Sequence, residues 1–505
     1  MTAAAHITLD PAFAIGAVPR RMFGSFVEHM GRCVYTGIYE PGHPSADAEG
    51  FRQDVLDLVR ELGVSVVRYP GGNFVSNYRW EDGVGPRESR PTRLDLAWRS
   101  VESNEFGLGE FMKWTEQAHV EPMLAINLGT RGIQEAIDLL EYCNYPAGTQ
   151  LSDQRIKDGD VEPYNVKLWC LGNELDGPWQ VGHRTAHEYG RLAAETGAAM
   201  RRQDPSIELV ACGSSNRGMP TFGSWEATVL EHTYDVVDYI SMHNYYEPRG
   251  DDLDSFLASA MDMDAFIDEV VATADHVKAR LRSSKQLKVS FDEWNVWYQS
   301  RHDDAPGEWT TAPRLIEDEY SVVDAVVVGS FLISLLGHAD RVAVACQAQL
   351  ANVIAPIRTE PGGPAWRQAI YHPFAQAAAY ARGTALRVEP VAPTIRTAAY
   401  GGVPAIHATA TYDEEHGTVA VFVVNRDRIR PIELTADVRA LGPARVVGHD
   451  TVHDPDPSAT NTAEHPDRVA PRPTASTKID SGRLTTTLPP ASWNVIRLSL
   501  THTEE

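Results

Sequence analysis

Cysteine is scarce in this chain and never clustered. The five thiols, Cys33, Cys143, Cys170, Cys212 and Cys346, are odd in number and show neither CxxC nor zinc-finger spacing. That excludes an obvious disulfide framework or structural metal site and predicts reduced thiols in a core. Positive charge is short as well: 45 lysines and arginines stand against 69 acids, for a formal net charge of −24. Such a surface repels phosphate backbones and anionic lipid, so neither nucleic acid nor membrane is an expected partner, whereas a neutral oligosaccharide is compatible with it. No apolar run reaches the roughly 18 residues a membrane helix needs, and residues 1–10 lack the basic start and apolar core of a secretion signal. A cytoplasmic protein is the expectation.

Familiar chemical signatures are missing too. Gly71-Gly72 has no GxGxxG context, and no GxSxG elbow closes a strand, which argues against a dinucleotide turn and a serine hydrolase. His183 and His187 are spaced i, i+4 without an HExxH partner, so they read as a surface or core pair, and neither metal nor cofactor is expected.

What the chain does have is strand-length apolar runs at 22–26, 64–69, 122–127, 166–171, 207–212, 237–243, 287–291 and 342–346, with amphipathic segments such as 51–62, 106–118, 133–142, 186–203 and 256–281 between them. Regular β/α alternation demands a parallel sheet, and eight repeats predict an α/β protein built on a (β/α)8 TIM barrel closed by a helix over 366–380. An open doubly wound sheet is the rival, but its Gly-rich turn is absent. After Gly383 the runs 403–412, 418–425, 432–438, 444–449, 484–488 and 493–500 follow one another without helical pattern. They predict a C-terminal antiparallel β-sandwich, jelly-roll-like, with 454–477 as a long exposed loop. The expected division is residues 1–15 as an N-terminal strand packing with the C-terminal domain, 16–383 as the catalytic barrel and 384–505 as the sandwich. With no exposed aromatic cluster in it, the sandwich reads as a scaffold rather than a carbohydrate-binding module.

Two apolar runs end alike: Leu168-Trp169-Cys170-Leu171-Gly172-Asn173-Glu174 and Phe291-Asp292-Glu293-Trp294-Asn295. Paired carboxyls at like ends of two buried strands suit glycosidic bond cleavage, in which one protonates the leaving oxygen and the other attacks the anomeric carbon or activates water. Other strand ends add polar groups: Glu28 and His29, Arg68 and Asn73, Asn127, Asn173, His243 and Tyr245, Gln347 and Gln349. In a barrel these converge on one mouth, and two glutamates, an arginine and several amides make the inventory of a sugar site. If Arg68 points at Glu293 it holds that group ionised and leaves Glu174 as the proton donor. Trp98 and Trp297 are candidates for walling the pocket, since indole faces suit the apolar faces of sugars. Glu81, Asp82, Asp176 and the cluster Glu317-Asp318-Glu319 read as solvated surface.

Gly172-Asn173-Glu174, Asp292-Glu293-Trp294-Asn295-Val296-Trp297, Arg68-Tyr69-Pro70-Gly71-Gly72-Asn73, Ala348-Gln349-Leu350-Ala351-Asn352-Val353-Ile354 and Leu488-Pro489-Pro490-Ala491-Ser492-Trp493-Asn494-Val495 together resemble the α-L-arabinofuranosidases of glycoside hydrolase family 51, over essentially the whole chain. The resemblance implies Glu174 as acid/base, Glu293 as nucleophile, Asn173 on the sugar 2-hydroxyl and Tyr245 on the nucleophile. It further implies Glu28, Asn73 and Gln349 on the furanose hydroxyls and His243 beside the acid/base. The implied activity is exo-acting, retaining hydrolysis of terminal arabinofuranosyl units from arabino- and arabinoxylo-oligosaccharides, by a homo-oligomer that in the family is usually a hexamer. The alternatives are a retaining glycosidase of other specificity, such as a β-xylosidase or endoglucanase, and a catalytically idle barrel that binds oligosaccharide.

Overall fold

Eight parallel strands close into a barrel: Gly24–Phe26, Val66–Tyr69, Glu121–Ala125, Leu168–Leu171, Glu208–Ala211, Tyr239–Tyr246, Lys288–Val296 and Val342–Gln347, each paired with the next and the last with the first. The structure is a computed structural model and describes residues 3–302 and 308–501; residues 1–2 and 502–505 of the expected outer segments, and 303–307, lie outside the described residues. Strand residues of the barrel wall are buried on both faces, which is why they read as continuous apolar runs rather than as alternation. The surrounding helices form where the apolar spacing returns every three or four residues. Gln53–Leu62 buries Val55, Leu56, Leu58, Val59 and Leu62 and stops at Gly63, whose φ of 77° supplies the left-handed cap. Ala186–Gln203 starts at Thr185, whose hydroxyl accepts from the Glu188 amide while the Glu188 carboxylate accepts from the Thr185 amide. At the barrel floor Arg21 donates to Glu121 and Glu208, the first residues of the third and fifth strands.

Two helical expectations need correction, and one helix was not expected at all. The closing helix is Tyr371–Tyr380, because Ala365–Arg367 forms instead a small hairpin with Ile357–Thr359. The segment expected over 256–281 is two helices, Leu253–Leu257 and Ala260–Leu281. The helix Val322–Gly337 carries no amphipathic signature at all, since every residue from Val322 to Leu336 is buried. A helix apolar all round belongs to a core, and no described helix is long and apolar enough to cross a membrane.

That helix is buried because the second unit sits on it. A seven-stranded sheet, in the order Ala14–Ala17, Thr384–Leu386, Ile406–Asp413, Thr418–Asn425, Ser492–Leu500, Ala444–Val452, Arg472–Pro473, packs against a four-stranded one, Ala3–Thr8, Ile432–Asp437, Arg483–Leu488, Lys478–Asp480. Pairing is antiparallel except that Ala3–Thr8 runs parallel to Ile432–Asp437. The strand Ala14–Ala17 straddles the boundary drawn at residue 15. Along Thr418–Asn425, Val419, Val421 and Val423 belong to the core between the sheets, while Ala420, Phe422 and Val424 join the barrel core. Segment 454–477 is no free loop: Ala459 and Val469 are fully buried, Asn461 donates to the Arg367 and Val469 carbonyls, and the Ala459 carbonyl accepts from the Val322 amide. It satisfies an amide that the start of a buried helix would otherwise leave orphaned.

Trp493 locks the two units. Its indole is fully buried, stacks on Phe422 and donates to Gln376 of the closing helix. Gly329 of the buried helix lies beneath it, where an added Cβ would stand 2.4 Å from Trp493 Cε3. Gly329→Ala should therefore lower stability by about 1–3 kcal/mol through overpacking. Gly337→Ala, at the far end of the same helix with nothing within 4 Å, should be neutral or slightly stabilising. Calorimetric unfolding of the two variants compares them, and an equal Tm change would refute this docking.

Candidate active site

The mouth of the barrel is built on a broken strand pattern. Strand seven continues five residues past the apolar run, to Val296, and its pairing shifts register between Phe291 and Trp294 against strand eight and opposite Ser241/His243 of strand six. Successive residues of a regular strand face opposite sides, and a bulge re-aims them. Here the neighbours Asp292 and Glu293 both reach groups inside the barrel: Asp292 Oδ1 lies 3.0 Å from His243 Nε2, and Glu293 Oε1 and Oε2 accept from Arg68 and Tyr245, each at 2.7 Å.

Glu174 stands beyond strand four on a backbone with positive φ at Gly172 (95°) and at Glu174 itself (45°). A non-glycine residue held there is strained, a feature that gathers at active sites. Its Oε1 is 2.8 Å from His243 Nδ1 and its Oε2 accepts from Trp179 Nε1 at 3.0 Å. One oxygen of Glu174, one of Glu293 and a ring nitrogen of His243 lie within 4.8 Å of one another. Burial would strip the proton from His243, but Glu293, Asp292 and Glu174 outweigh it and push the imidazole up to about 10. Burial pushes Glu293 above its ordinary value; His243 and Arg68 pull it back without cancelling that rise, and Glu174 adds to it. Tyr245 is held well above its ordinary value by burial and the adjacent Glu293, so it remains a hydroxyl donor.

Arg68 is buried at 1% exposure and gives Nη1 to Glu293 and Nη2 to Asn173 Oδ1 at 2.6 Å. That contact orients the Asn173 amide, whose Nδ2 faces Asn73 Oδ1 at 3.3 Å. On the opposite wall Glu28 accepts from the Phe74 amide, Trp98 Nε1 and Gln349 Nε2, at 2.9, 2.9 and 3.1 Å. Burial, and after it Glu293, drive the Glu28 carboxyl up to about 8. Trp98 rides a short hairpin, Arg93–Asp95 and Ser100–Glu102, whose turn is tied by the Ala97 and Trp98 amides donating to Asp95. Trp297 packs edge-on against Tyr245.

All the residues expected at the site, Glu28, Arg68, Asn73, Trp98, Asn173, Glu174, His243, Tyr245, Glu293, Trp297 and Gln349, thus fall in one connected cluster. Three other strand-end polar residues do not reach it. His29 bridges Glu102 and Tyr69, Asn127 braces the Tyr78 carbonyl and Thr130, and Gln347 donates to Asn295. Asp176, expected as solvated surface, is buried, accepts from Ser215 and is driven up to about 7 by that burial. Glu317 and Asp318 are corrected likewise: Glu317 clamps Arg32 and Arg358, and Asp318 accepts from the Tyr298 amide. Sequence reasoning gave no part to Trp179, whose exposed indole donates to Glu174, or to Asp292; the signal was there, five residues past the first glutamate and one before the second. His187 pairs with His232 rather than with His183.

Two carboxyls this close, sharing one imidazole at the C-terminal mouth of a parallel barrel, are the mark of a retaining glycoside hydrolase: an inverting pair stands about 6.5–9.5 Å apart to admit a water, a retaining pair only about 5–5.5 Å. Comparison with known proteins narrows the class. Residues 58–275 match the family model of the alpha-L-arabinofuranosidase 1 domain and 292–492 that of the alpha-L-arabinofuranosidase C-terminal domain. The chain is 60% identical to an intracellular exo-alpha-(1->5)-L-arabinofuranosidase of Streptomyces lividans, over 98% of this chain and 75% of that one. It is 52% identical to an exo-alpha-(1->6)-L-arabinofuranosidase of Bifidobacterium longum, over 98% and 97%. The solved structure of AbfB, a family 51 alpha-L-arabinofuranosidase from Bifidobacterium longum, superposes with a TM-score of 0.95 at 50% identity, covering 98% of this chain and all of that one. The chain belongs to the α-L-arabinofuranosidases of glycoside hydrolase family 51, and it is an exo-acting, retaining enzyme of that kind.

The Glu28 wall offers a direct check. Gly71 and Gly72 pass so close that a Cβ on Gly72 would lie 2.4 Å from Glu28 Oε2. Gly72→Ala must turn that carboxylate away from Trp98 and Gln349. We expect kcat/KM on an aryl arabinofuranoside to fall about tenfold or more, equivalent to about 1.4 kcal/mol, with little change in Tm; unaltered kinetics would show that Glu28 is not held as described.

Proposed function

We propose that the chain removes terminal non-reducing α-L-arabinofuranosyl units from arabino- and arabinoxylo-oligosaccharides by double displacement, with Glu174 as acid/base and Glu293 as nucleophile. The observation that carries this reading is the asymmetric support of the two carboxyls. Both oxygens of Glu293 take hydrogen bonds, from a cation and from a phenol, an arrangement that favours its ionised form. Glu174 meets no such cation and phenol pair: its Oε1 lies 2.8 Å from His243 Nδ1 and its Oε2 accepts from the Trp179 indole.

In the first half-reaction Glu293 attacks the anomeric carbon while Glu174 gives a proton to the departing glycosidic oxygen. The bond to the leaving group breaks as the ester to Glu293 forms. Water then attacks the anomeric carbon and gives its proton to Glu174, and the bond from that carbon to Glu293 breaks, returning Glu293 to the carboxylate. Asn173, oriented by Arg68, donates toward the sugar 2-hydroxyl, where a hydrogen bond strengthens as positive charge develops on the ring. Glu28, Asn73 and Gln349 take the remaining furanose hydroxyls, and Trp98 and Trp297 wall the pocket.

The relatives' names add substrate and place. One is named for the 1->5 linkage and the other for the 1->6 linkage, so terminal 1->5- and 1->6-linked arabinofuranosyl units are the first substrates to compare. By the same relatives we place the enzyme inside the cell, acting on short oligosaccharides.

Glu174→Ala should lose at least about a hundredfold on oligosaccharides with poor leaving groups and much less on 2,4-dinitrophenyl arabinofuranoside, with azide restoring turnover. Glu293→Ala should lose both. Equal losses across leaving groups in the two variants would overturn the roles, and NMR showing β-arabinose as the first product would overturn double displacement by this pair.

A further inference from the structure

Asp292 has no part in the steps above, yet it is as deeply enclosed as Arg68 and Asn173. It is buried at 1% exposure. Its Oδ1 lies 3.0 Å from His243 Nε2, and the other nitrogen of the same ring lies 2.8 Å from Glu174 Oε1. The three groups form an unbroken line, carboxylate, imidazole, carboxyl, running from inside the barrel to the acid/base. We propose that Asp292 is a positioning residue for the known reaction: it fixes His243 as a proton store behind Glu174.

The chemistry follows from the two ring nitrogens. A carboxylate on Nε2 keeps a proton there, so Nδ1 is the nitrogen that gives and takes. When Glu174 delivers its proton to the leaving oxygen, the Nδ1 proton follows onto Glu174 or is the one delivered, and His243 remains neutral with Nε2–H on Asp292. When water attacks the anomeric carbon of the glycosyl-enzyme, its proton returns through Glu174 to the Nδ1 lone pair. The cycle conserves protons and needs no other reactant. The bulge in strand seven makes it possible, since without it Asp292 and Glu293 would face opposite sides of the sheet.

The charged and titratable groups facing this line are few. Strand two contributes Arg68, whose Nε is 3.6 Å from Asp292 Oδ2 and makes no hydrogen bond. Strand four contributes Cys170, at 3.7 Å from Asp292, with Glu174 and Asp176 beyond it; strand five contributes Cys212, strand six Tyr245, strand seven Glu293 and strand eight Cys346. Burial drives the three thiols and the phenol up, so all four stay neutral. Asp292 is thus the carboxyl group behind the imidazole, and its neighbour Glu293 the one beside it, at 3.7 Å from Nδ1.

The inference rests on Glu174 being the acid/base, and the test separates the two. Asp292→Asn keeps the shape and removes the charge, which weakens the hold on the His243 proton. The alkaline limb of kcat/KM should move down by about one pH unit or more. Activity should fall about 10–100-fold on oligosaccharide, and within about threefold on 2,4-dinitrophenyl arabinofuranoside. Equal loss on both substrates with an unmoved alkaline limb would make Asp292 merely structural and overturn the proposal, whereas Glu174→Ala without leaving-group dependence would overturn the reading beneath it. Should Asp292→Asn fail to fold, 15N NMR of the intact enzyme decides: His243 should keep both ring protons well above its ordinary pKa of 6.5, and loss of one near that value would refute the store.

Discussion

The buried guanidinium of Arg68 is the charge around which the barrel interior is arranged. It ties its own strand two to the end of strand four, through Asn173, and to strand seven, through Glu293 and Asp292, and lies 5.0 Å over the Phe26 ring. An unpaired charge in such a place would cost several kcal/mol. The same low dielectric strengthens its interactions with every acceptor it meets, and only a planar fork can hold an amide oxygen and a carboxylate in two fixed directions. The nucleophile's orientation and the direction of the Asn173 amide are therefore one fact rather than two. Lysine would leave one of them loose.

Around that charge the barrel departs from regularity where chemistry requires it. An even β-strand cannot turn two consecutive carboxylates inward, and the register shift after Phe291 removes the restriction. Glu174 sits on positive-φ backbone just outside strand four, so the two functional glutamates are presented differently, one from within a strand and one from a strained turn. The difference matches their surroundings. Glu293 is gripped on both oxygens deep in the barrel, whereas Glu174 meets an imidazole on one side and the half-exposed Trp179 on the other.

The sequence was most legible where a single element obeys a single pattern. All eight strands were found, because a wall buried on both faces is apolar without interruption, and the helix Ala186–Gln203 matches residue for residue, because its period and its cap agree. The site residues were legible as strand ends plus family motifs. What stayed hidden depends on partners remote in sequence. Val322–Gly337 has no polar face to give it a period, since the sandwich covers the side that solvent would have marked. Asp176 and Asp318 look like surface acids until the amides of Ser215 and Tyr298 are brought to them. Asp292 is quoted in the motif, but strand alternation points it the wrong way, and only the bulge gives it a function.

The sandwich belongs to this account although it contributes no side chain to the cluster around the two glutamates. Its Trp493 and Phe422 press on the helix Val322–Gly337, whose Phe331 lies against Tyr246 and Trp294 with ring centroids 4.6 and 6.3 Å away. Tyr246 follows Tyr245, and Trp294 follows Glu293. The same helix accepts Tyr298 at Asp324, anchoring the chain just past strand seven. Covalent catalysis requires the nucleophile to hold its line of attack to within a fraction of an ångström, and a bulged strand is softer than a regular one. The buried helix, clamped between barrel and sandwich, stiffens strands six and seven from behind at the very residues where their register is broken.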